Sequence, residues 1–200
     1  MNKNIAIIGA GGHGKVVGEI AQLNGYNIVD FFDDSENLKK DEFFFPIHGN
    51  LNYLKDSLKK YNAFFVAIGN NKIRFDKIEW LIKSGANIIN LIHPRSTISK
   101  HTKLGNGICV MANSVINPGS VVGNGVIINT SASIDHDCKI EDYVHISPNC
   151  SLSGNVKVGK FSHIGTGTSV HPGIEIGANV KVGIGSKIFN NVLDNTVYKI

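Results

Sequence analysis

Stepping six residues at a time from Ile98, the sequence returns an aliphatic side chain sixteen times without a miss, from Ile98, Leu104 and Val110 to Ile176, Val182 and Ile188. Apolar residues of every kind make up only 42% of the chain, so an unbroken run of this length is a repeat and not chance. Two residues before these positions the side chain is usually small or β-branched, as at Ser96, Thr102, Ser114, Ser120, Val126 and Ala132, and glycine often follows, as at Gly105, Gly123, Gly159, Gly165, Gly177 and Gly183. A period of six suits neither a helix nor a hairpin. It suits short strands joined by turns, each strand sending one aliphatic inward, which is the hexapeptide pattern of a parallel β-helix.

Chains with this pattern wind left-handed, three hexapeptides to a triangular coil. Eighteen residues then make one turn, and residues 98–188 hold about five turns, a column roughly 25 Å tall at a rung spacing of about 4.8 Å. Cys138 and Cys150 fall on the small, inward phase and read as core.

The first ninety residues lack this period. "NIAIIG", "NIVDFFDD", "AFFVAIGN" and "NIINLIH" read as strands. Between them lie helical stretches: one with Val16, Val17, Ile20 and Leu23 on one side, "NLNYLKDSLKKY", and one packing Ile73, Ile78, Trp80, Leu81 and Ile82. Strands alternating with helices imply a parallel α/β sheet. The pattern changes near His93–Pro94, which sets the expected domains at 1–93, a Rossmann-like mononucleotide-binding α/β domain, and 94–200, a left-handed β-helix.

Gly9, Gly11 and Gly14 form G-x-G-x-x-G between strand and helix. Such glycines let backbone approach a phosphate at a helix N-terminus. Asp33 and Asp34 end the next strand, where an acid accepts hydrogen bonds from ribose or base. About four strands are too few for a full dinucleotide fold, so one nucleotide fits better than NAD. His13 lies in the glycine loop, and Asn70, Asn71 and Arg74 follow the third strand; Arg74 reads as a solvated helix charge.

His136 lies two residues past Ile134 and His145 one before Ile146. Nine residues are half a coil, so the two histidines belong to different sides of one column. They meet only when columns of two subunits pack side by side, which points to a cyclic oligomer of three with shared sites. His163, eighteen residues after His145, belongs one rung above it. The H-x4-H pair of β-helical zinc enzymes is missing, and no metal is expected.

Twenty basic residues stand against sixteen acidic ones, giving a net charge of +4. They are scattered, so a nucleic-acid partner is not indicated. Three cysteines without paired spacing do not make a disulfide framework. With no signal peptide and no apolar run of membrane-spanning length, the expectation is a cytoplasmic protein without a membrane partner.

"GAGGHG", "FFDD", "FFVAIGNNKIR", "NLIHPRSTIS", "NTSASIDHDCKI" and "SGNVKVGK" together resemble the bacterial nucleotide-sugar acetyltransferases. The resemblance is nearest to the UDP-4-amino-4,6-dideoxy-sugar N-acetyltransferases, with the sialic acid O-acetyltransferases and perosamine-type N-acetyltransferases related. It covers nearly the whole chain. It implies an acetyl-CoA-dependent N-acetyltransferase in surface-glycan synthesis, working as a homotrimer, with acetyl-CoA as co-substrate. The general base is then His136, oriented by Asp137, where many relatives have Glu and a longer reach. His145, Gly154, Thr166, Gly183 and Ile184 then meet acetyl-CoA, with the Gly154 amide near the thioester carbonyl. Gly11, Gly12, His13, Asp33, Asp34, Gly69 and Asn70 then meet the nucleotide sugar. Relatives usually continue beyond "GSKIFNNVLDNTVYKI" into a G-x-P-A loop that helps hold CoA; this sequence ends at Ile200. O-acetylation of a sialic-acid-like sugar and a non-catalytic sugar-nucleotide scaffold are the alternative expectations.

Overall fold

The apolar run Asn4–Ile8 (β1) is buried at four of its five residues, as befits a strand covered on both faces. In the computed structural model, which describes residues 3–35 and 43–199, β1 pairs in parallel with Ile28–Phe32 (β2) and Ala63–Val66 (β4). Ile47–Gly49 (β3) extends the sheet, giving the order β3-β2-β1-β4. The helices are Gly12–Leu23 (α1), Leu51–Ser57 (α2) and Asn71–Lys83 (α3). The chain forms two compact units, Met1–Leu91 and Ile92–Ile200.

Three sequence expectations need correction in the first unit. The fourth strand is Ile47–Gly49 rather than "NIINLIH", of which Ile88 makes only an isolated bridge to Phe64 and Leu91–Ile92 joins the β-helix sheet. α1 buries Gly14, Val17, Gly18, Ile20 and Ala21, while Val16 and Leu23 are 40% and 56% exposed. The reason is close approach: a β-carbon on Gly18 would stand 2.4 Å from the Phe45 ring, so the helix packs through its smallest residues. α3 buries Arg74, Ile78 and Leu81, and leaves Ile73 and Ile82 exposed.

The second unit is a left-handed parallel β-helix of two-residue strands. Its strands stack in register into three sheets. Face I runs from Leu91–Ile92 to Val197–Tyr198 and includes His145–Ile146 and His163–Ile164. Face II includes Ser133–Ile134, Ser151–Leu152 and Ser169–Val170. Face III includes Lys139–Ile140, Lys157–Val158 and Glu175–Ile176. The sixth-residue aliphatics from Val110 to Ile188 are all buried in one column, with Ile98 and Leu104 packed against its end. Each such side chain contributes about 1.5–3 kcal/mol through burial. The small phase is buried too, and its hydroxyls are satisfied: Ser120 Oγ donates to Asp135 O at 2.7 Å and Ser162 Oγ to Gly177 O at 2.7 Å. Cys138 and Cys150 sit there as buried free thiols, and burial raises the pKa of both.

The corners have a period of their own. Every sixth residue from Gly107 to Gly185 has φ between +54° and +80°. Glycine and asparagine, which tolerate the left-handed region best, fill most of these positions. Ser131, Asp137, Tyr143 and Phe161 take the rest.

Candidate active site

His136 occupies the corner between faces II and III, in the turn linking Ser133–Ile134 to Lys139–Ile140. The corner is pinned by hydrogen bonds along the column, from Asp137 N to Pro118 O at 3.0 Å and from Asn155 N to His136 O at 2.9 Å. From inside, the buried Ser120 hydroxyl also accepts from Cys138 N at 3.0 Å. A solvent-facing turn is thereby held on a rigid scaffold.

Asp137 Oδ2 lies 2.8 Å from His136 Nδ1, with both side chains mostly exposed. Asp137 holds one of the left-handed corner positions, at φ +59°. Aspartate tolerates that backbone better than glutamate does, and its shorter side chain still reaches the ring. Asp135 was not singled out in the sequence. Its Oδ1 accepts from both the His136 N–H and Asn117 Nδ2, each at 2.8 Å. Asp137 thus holds the ring and Asp135 the backbone of the same residue. The hydrogen bond that the Nδ1–H donates to Asp137, then the charge of Asp135, raise the His136 pKa above the ordinary histidine value. The hydrogen bond from Asn117, then that from the His136 amide, hold Asp135 below the usual carboxylate range. The arrangement can take a proton at Nε2 while Nδ1–H stays tied to Asp137.

Gly154 lies one coil beyond His136 in the same column. A β-carbon there would stand 2.6 Å from His136 Cε1 and Nε2. In this column Pro118 and Pro172 have no N–H, and the His136 N–H is taken by Asp135, so the Gly154 N–H is the donor the corner can present beside Nε2.

The other residues expected to meet acetyl-CoA lie elsewhere on the prism. His145 is on face I, stacked on His163 with ring centroids 4.5 Å apart and planes 20° apart. Thr166, Gly183 and Ile184 follow face I strands at the corner leading to face II, and Ile184 is 74% exposed. One chain thus brings His136, Asp137 and Gly154 together at one edge of face II and sets Thr166, Gly183 and Ile184 at the other.

In the first unit, Gly9 and Gly14 serve close packing. A β-carbon on Gly9 would stand 2.7 Å from Ala67 O, and one on Gly14 2.3 Å from Gly9 O. Gly11, Gly12 and Gly69 face open space. Gly11 is the N-cap of α1, and no side chain caps the first amides of that helix. His13 is half-buried; burial, then the nearby Arg74 charge, lower its pKa to about 4. Asp33 accepts from Ala10 N at 2.7 Å and Ser35 N at 2.8 Å, bracing the glycine loop. Asp34 accepts from Leu51 N at 3.0 Å and pairs with Lys77 Nζ at 2.8 Å. Burial opposes its ionisation, but Lys77 and the Leu51 amide prevail and lower its pKa. Both acids line a cleft of about 260 Å³ with Ile8, Gly9, Leu51, Ile68, Ile73 and Lys77. Asn70 caps α3, accepting from Lys72 N and Ile73 N.

Arg74 is not the solvated helix charge the sequence suggested. It is fully buried and donates to Ile68 O at 2.9 Å, Gly69 O at 3.1 Å and Asn71 Oδ1 at 2.9 Å, fixing the loop after β4. The guanidinium's fork of donors matches three converging oxygens, which offsets the cost of burying it.

A larger hollow of about 730 Å³ lies on face III around Lys139, Lys157, Glu175 and Leu193. Lys157 pairs with Glu175 and Lys139 with Glu141 across it, and it contains none of the residues at the His136 corner. Among the described residues no group of three His, Cys, Asp or Glu is arranged to hold a metal ion, and no helix is long and apolar enough to cross a membrane.

Residues 4–81 match the family described as the PglD N-terminal domain. Over 119 residues the chain is 36% identical to the UDP-N-acetylbacillosamine N-acetyltransferase of Bacillus subtilis (strain 168). That alignment covers 55% of this chain and 52% of the relative, so the chain spans about half the length of the curated relative it matches. The chain is also similar to the acetyltransferase domain of PglB from Neisseria gonorrhoeae FA1090 in complex with acetyl coenzyme A. The TM-score is 0.91 and the identity 40%, covering 99% of this chain and 97% of that one. A third similarity is to PerB from Caulobacter crescentus in complex with CoA and GDP-perosamine, with TM-score 0.89 and 34% identity, covering 97% of this chain and 92% of that one.

Proposed function

The chain belongs to the left-handed β-helix, hexapeptide-repeat family of bacterial nucleotide-sugar acetyltransferases, and from that membership we propose that it acetylates the amine of a nucleotide-linked 4-amino-4,6-dideoxy sugar. The donor is acetyl-CoA and the nucleotide is UDP. The observation that carries this reading is the His136–Asp137 pair at 2.8 Å, set against the backbone of Gly154.

The chemistry runs by direct transfer. The neutral sugar amine attacks the thioester carbonyl carbon, and a C–N bond forms as the carbonyl oxygen becomes an oxyanion. His136 Nε2 takes the proton from the nitrogen, while Asp137 stabilises the resulting imidazolium; such general-base catalysis contributes about 10²–10⁴-fold. The Gly154 N–H donates to the oxyanion. The tetrahedral centre then collapses, the C–S bond breaks, and the CoA thiolate receives the proton from His136. No acyl-enzyme is needed.

The working form is a homotrimer with sites between subunits. His136 and Gly154 border face II on one side, and Thr166, Gly183 and Ile184 border it on the other. Face II itself presents Thr97, Val115, Ser133, Ser151, Ser169 and Lys187. Three copies packed through this face, whose middle rungs carry serines, bring one edge of each beside the opposite edge of the next. His145 then reaches the donor from the neighbouring copy. Gly11, Gly12, His13, Asp33, Asp34, Gly69 and Asn70 hold the nucleotide sugar, and the enzyme works in the cytoplasm, in surface-glycan synthesis.

The test is thiol release from acetyl-CoA with a panel of UDP-, GDP- and CMP-sugars bearing free amines or hydroxyls. A UDP-4-amino sugar is expected to turn over, and His136→Ala to lose most of kcat while remaining folded. Turnover of a sialic-acid hydroxyl instead would make the enzyme an O-acetyltransferase. Binding without turnover on any acceptor would make it a scaffold.

A further inference from the structure

The corner column that carries Asp137 runs Gly119, Asp137, Asn155, Gly173, all in the left-handed region, at φ +80°, +59°, +59° and +74°. Asp137 and Asn155 show that this backbone accepts a side chain, so positive φ does not by itself require glycine at position 119. The next coil does require it. A β-carbon on Gly119 would stand 2.2 Å from Asp137 Oδ1 and 3.2 Å from its carboxyl carbon, whereas one on Gly173 would meet nothing within 4 Å. The Asp137 carboxylate thus rests Oδ1 over the bare face of Gly119 and turns Oδ2 to His136 Nδ1 at 2.8 Å.

The same coil serves the second acid. Asn117 Nδ2 donates to Asp135 Oδ1 at 2.8 Å, and that oxygen also accepts the His136 N–H at 2.8 Å. The stacking ladder sets this coil in place: Asn117 N donates to Ile134 O at 2.9 Å, and Asp137 N donates to Pro118 O at 3.0 Å. Asn117, Pro118 and Gly119 therefore match Asp135, His136 and Asp137 residue for residue, the first clasping one carboxylate and the last leaving room for the other. These two acids are the charged groups that act on the His136 ring. Exposed ion pairs are weak partly because two free side chains must be ordered to make them. A scaffold that sets the acid in advance removes part of that loss.

Resting on the functional reading above, we propose that Gly119 and Asn117 are positioning residues for the base: the coil before His136 is a cradle that aims the Asp137 carboxylate at the ring and fixes Asp135 on the backbone of the same residue. Gly119 acts by having no side chain and Asn117 by one hydrogen bond, and each acts through an acid rather than on a reacting atom. A side chain at position 119 would meet the free end of an exposed aspartate, which can swing away without disturbing the column. Filling that position therefore falls on His136 and not on the fold.

The experiment titrates the His136 ring by NMR and records kcat and the pH profile of kcat/KM on the same proteins. Gly119→Asn, which suits the left-handed backbone, is expected to lower the His136 pKa, move the acidic limb of kcat/KM to lower pH and reduce kcat by about threefold to tenfold, the size of one lost hydrogen bond. Asn117→Ala should move the titration the same way but less, since it frees Asp135 rather than Asp137. Gly173→Asn, at the same corner phase, should leave the titration where the parent has it. In an Asp137→Gly background Gly119→Asn should change nothing further, because no carboxylate is left to displace. Should Gly119→Asn fail to fold, Gly119→Ala brings the same β-carbon and is read in its place. A His136 titration unmoved by filling position 119 overturns the proposal. So does an equal loss in the Asp137→Gly background, or an equal shift in Gly173→Asn, either of which would make the effect one of corner backbone. An Asn117→Ala titration matching the parent's removes Asn117 from the cradle. A parent that turns over no amino sugar would sink the functional reading, while the titrations would still decide whether this coil holds the acids on His136.

Discussion

A β-carbon on Gly154 would stand 2.6 Å from both Cε1 and Nε2 of His136, one coil below it in the same column. The imidazole rests against backbone that only a residue without a side chain leaves open. This relationship joins two stretches eighteen residues apart and sets the ring nitrogen against the Gly154 backbone. The site is built by the stacking period rather than by any local motif.

Gly154→Ala tests that relationship. Gly154 does not have positive φ, so alanine suits the backbone, and the penalty falls on the ring it displaces. Misplacing a catalytic group by about 1 Å costs on the order of 10²-fold. A loss of that order in kcat is expected, with a melting temperature close to the parent's. Activity equal to the parent's would show that the ring position is unimportant.

The raised pKa of His136 gives a pH dependence with a definite sign. In the proposed role His136 must be neutral to act, and Asp137 and Asp135 stabilise its protonated form. The acidic limb of kcat/KM therefore lies above the ordinary histidine value. Replacing Asp137 by Asn removes the largest contribution and should move that limb to lower pH while lowering the plateau. A limb that stays in place would assign the titration to another group.

Subunit mixing tests the shared site. His136→Ala and His145→Ala should each be nearly inactive alone. Unfolding and refolding them together at equal amounts should restore activity at about a quarter of the sites, the fraction in which random assembly of a closed ring sets an intact His136 beside an intact His145. No recovery in a properly assembled mixture would place both histidines within one chain's site.

The core column sets stability. Ile146 is fully buried between Ile128 and Ile164 in the face I ladder. Ile146→Ala should cost about 2–5 kcal/mol, because neighbouring coils held by in-register hydrogen bonds cannot close the cavity. Denaturant unfolding checks this, and a loss below about 1 kcal/mol would mean that the stack collapses to fill the gap.

The β-helix was legible because its period repeats through sixteen hexapeptides and no other architecture shares it. The stacking of His163 on His145 followed from the same count of eighteen. The first unit was harder. Ile47–Gly49 is a three-residue strand flanked by Pro46 and Asn50, too short to leave an alternating signature. Apolar spacing favoured Val16 and Leu23 on α1, but contact with Phe45 selects Gly18, and a glycine carries no hydrophobic signal. Arg74 looked like any helix-surface cation, because the carbonyls that receive it converge only after the loop folds. Asp135 was overlooked although it adjoins His136; its partner Asn117 lies one coil away, and only the register shows the pair.

The evenly spaced coils make the corner a ruler. Moving a functional group by eighteen sequence positions slides it one graduation, about 4.8 Å, without changing the direction in which it points. An enzyme built this way can fit a longer donor or a bulkier acceptor by exchanging single side chains at marked heights, leaving the scaffold untouched.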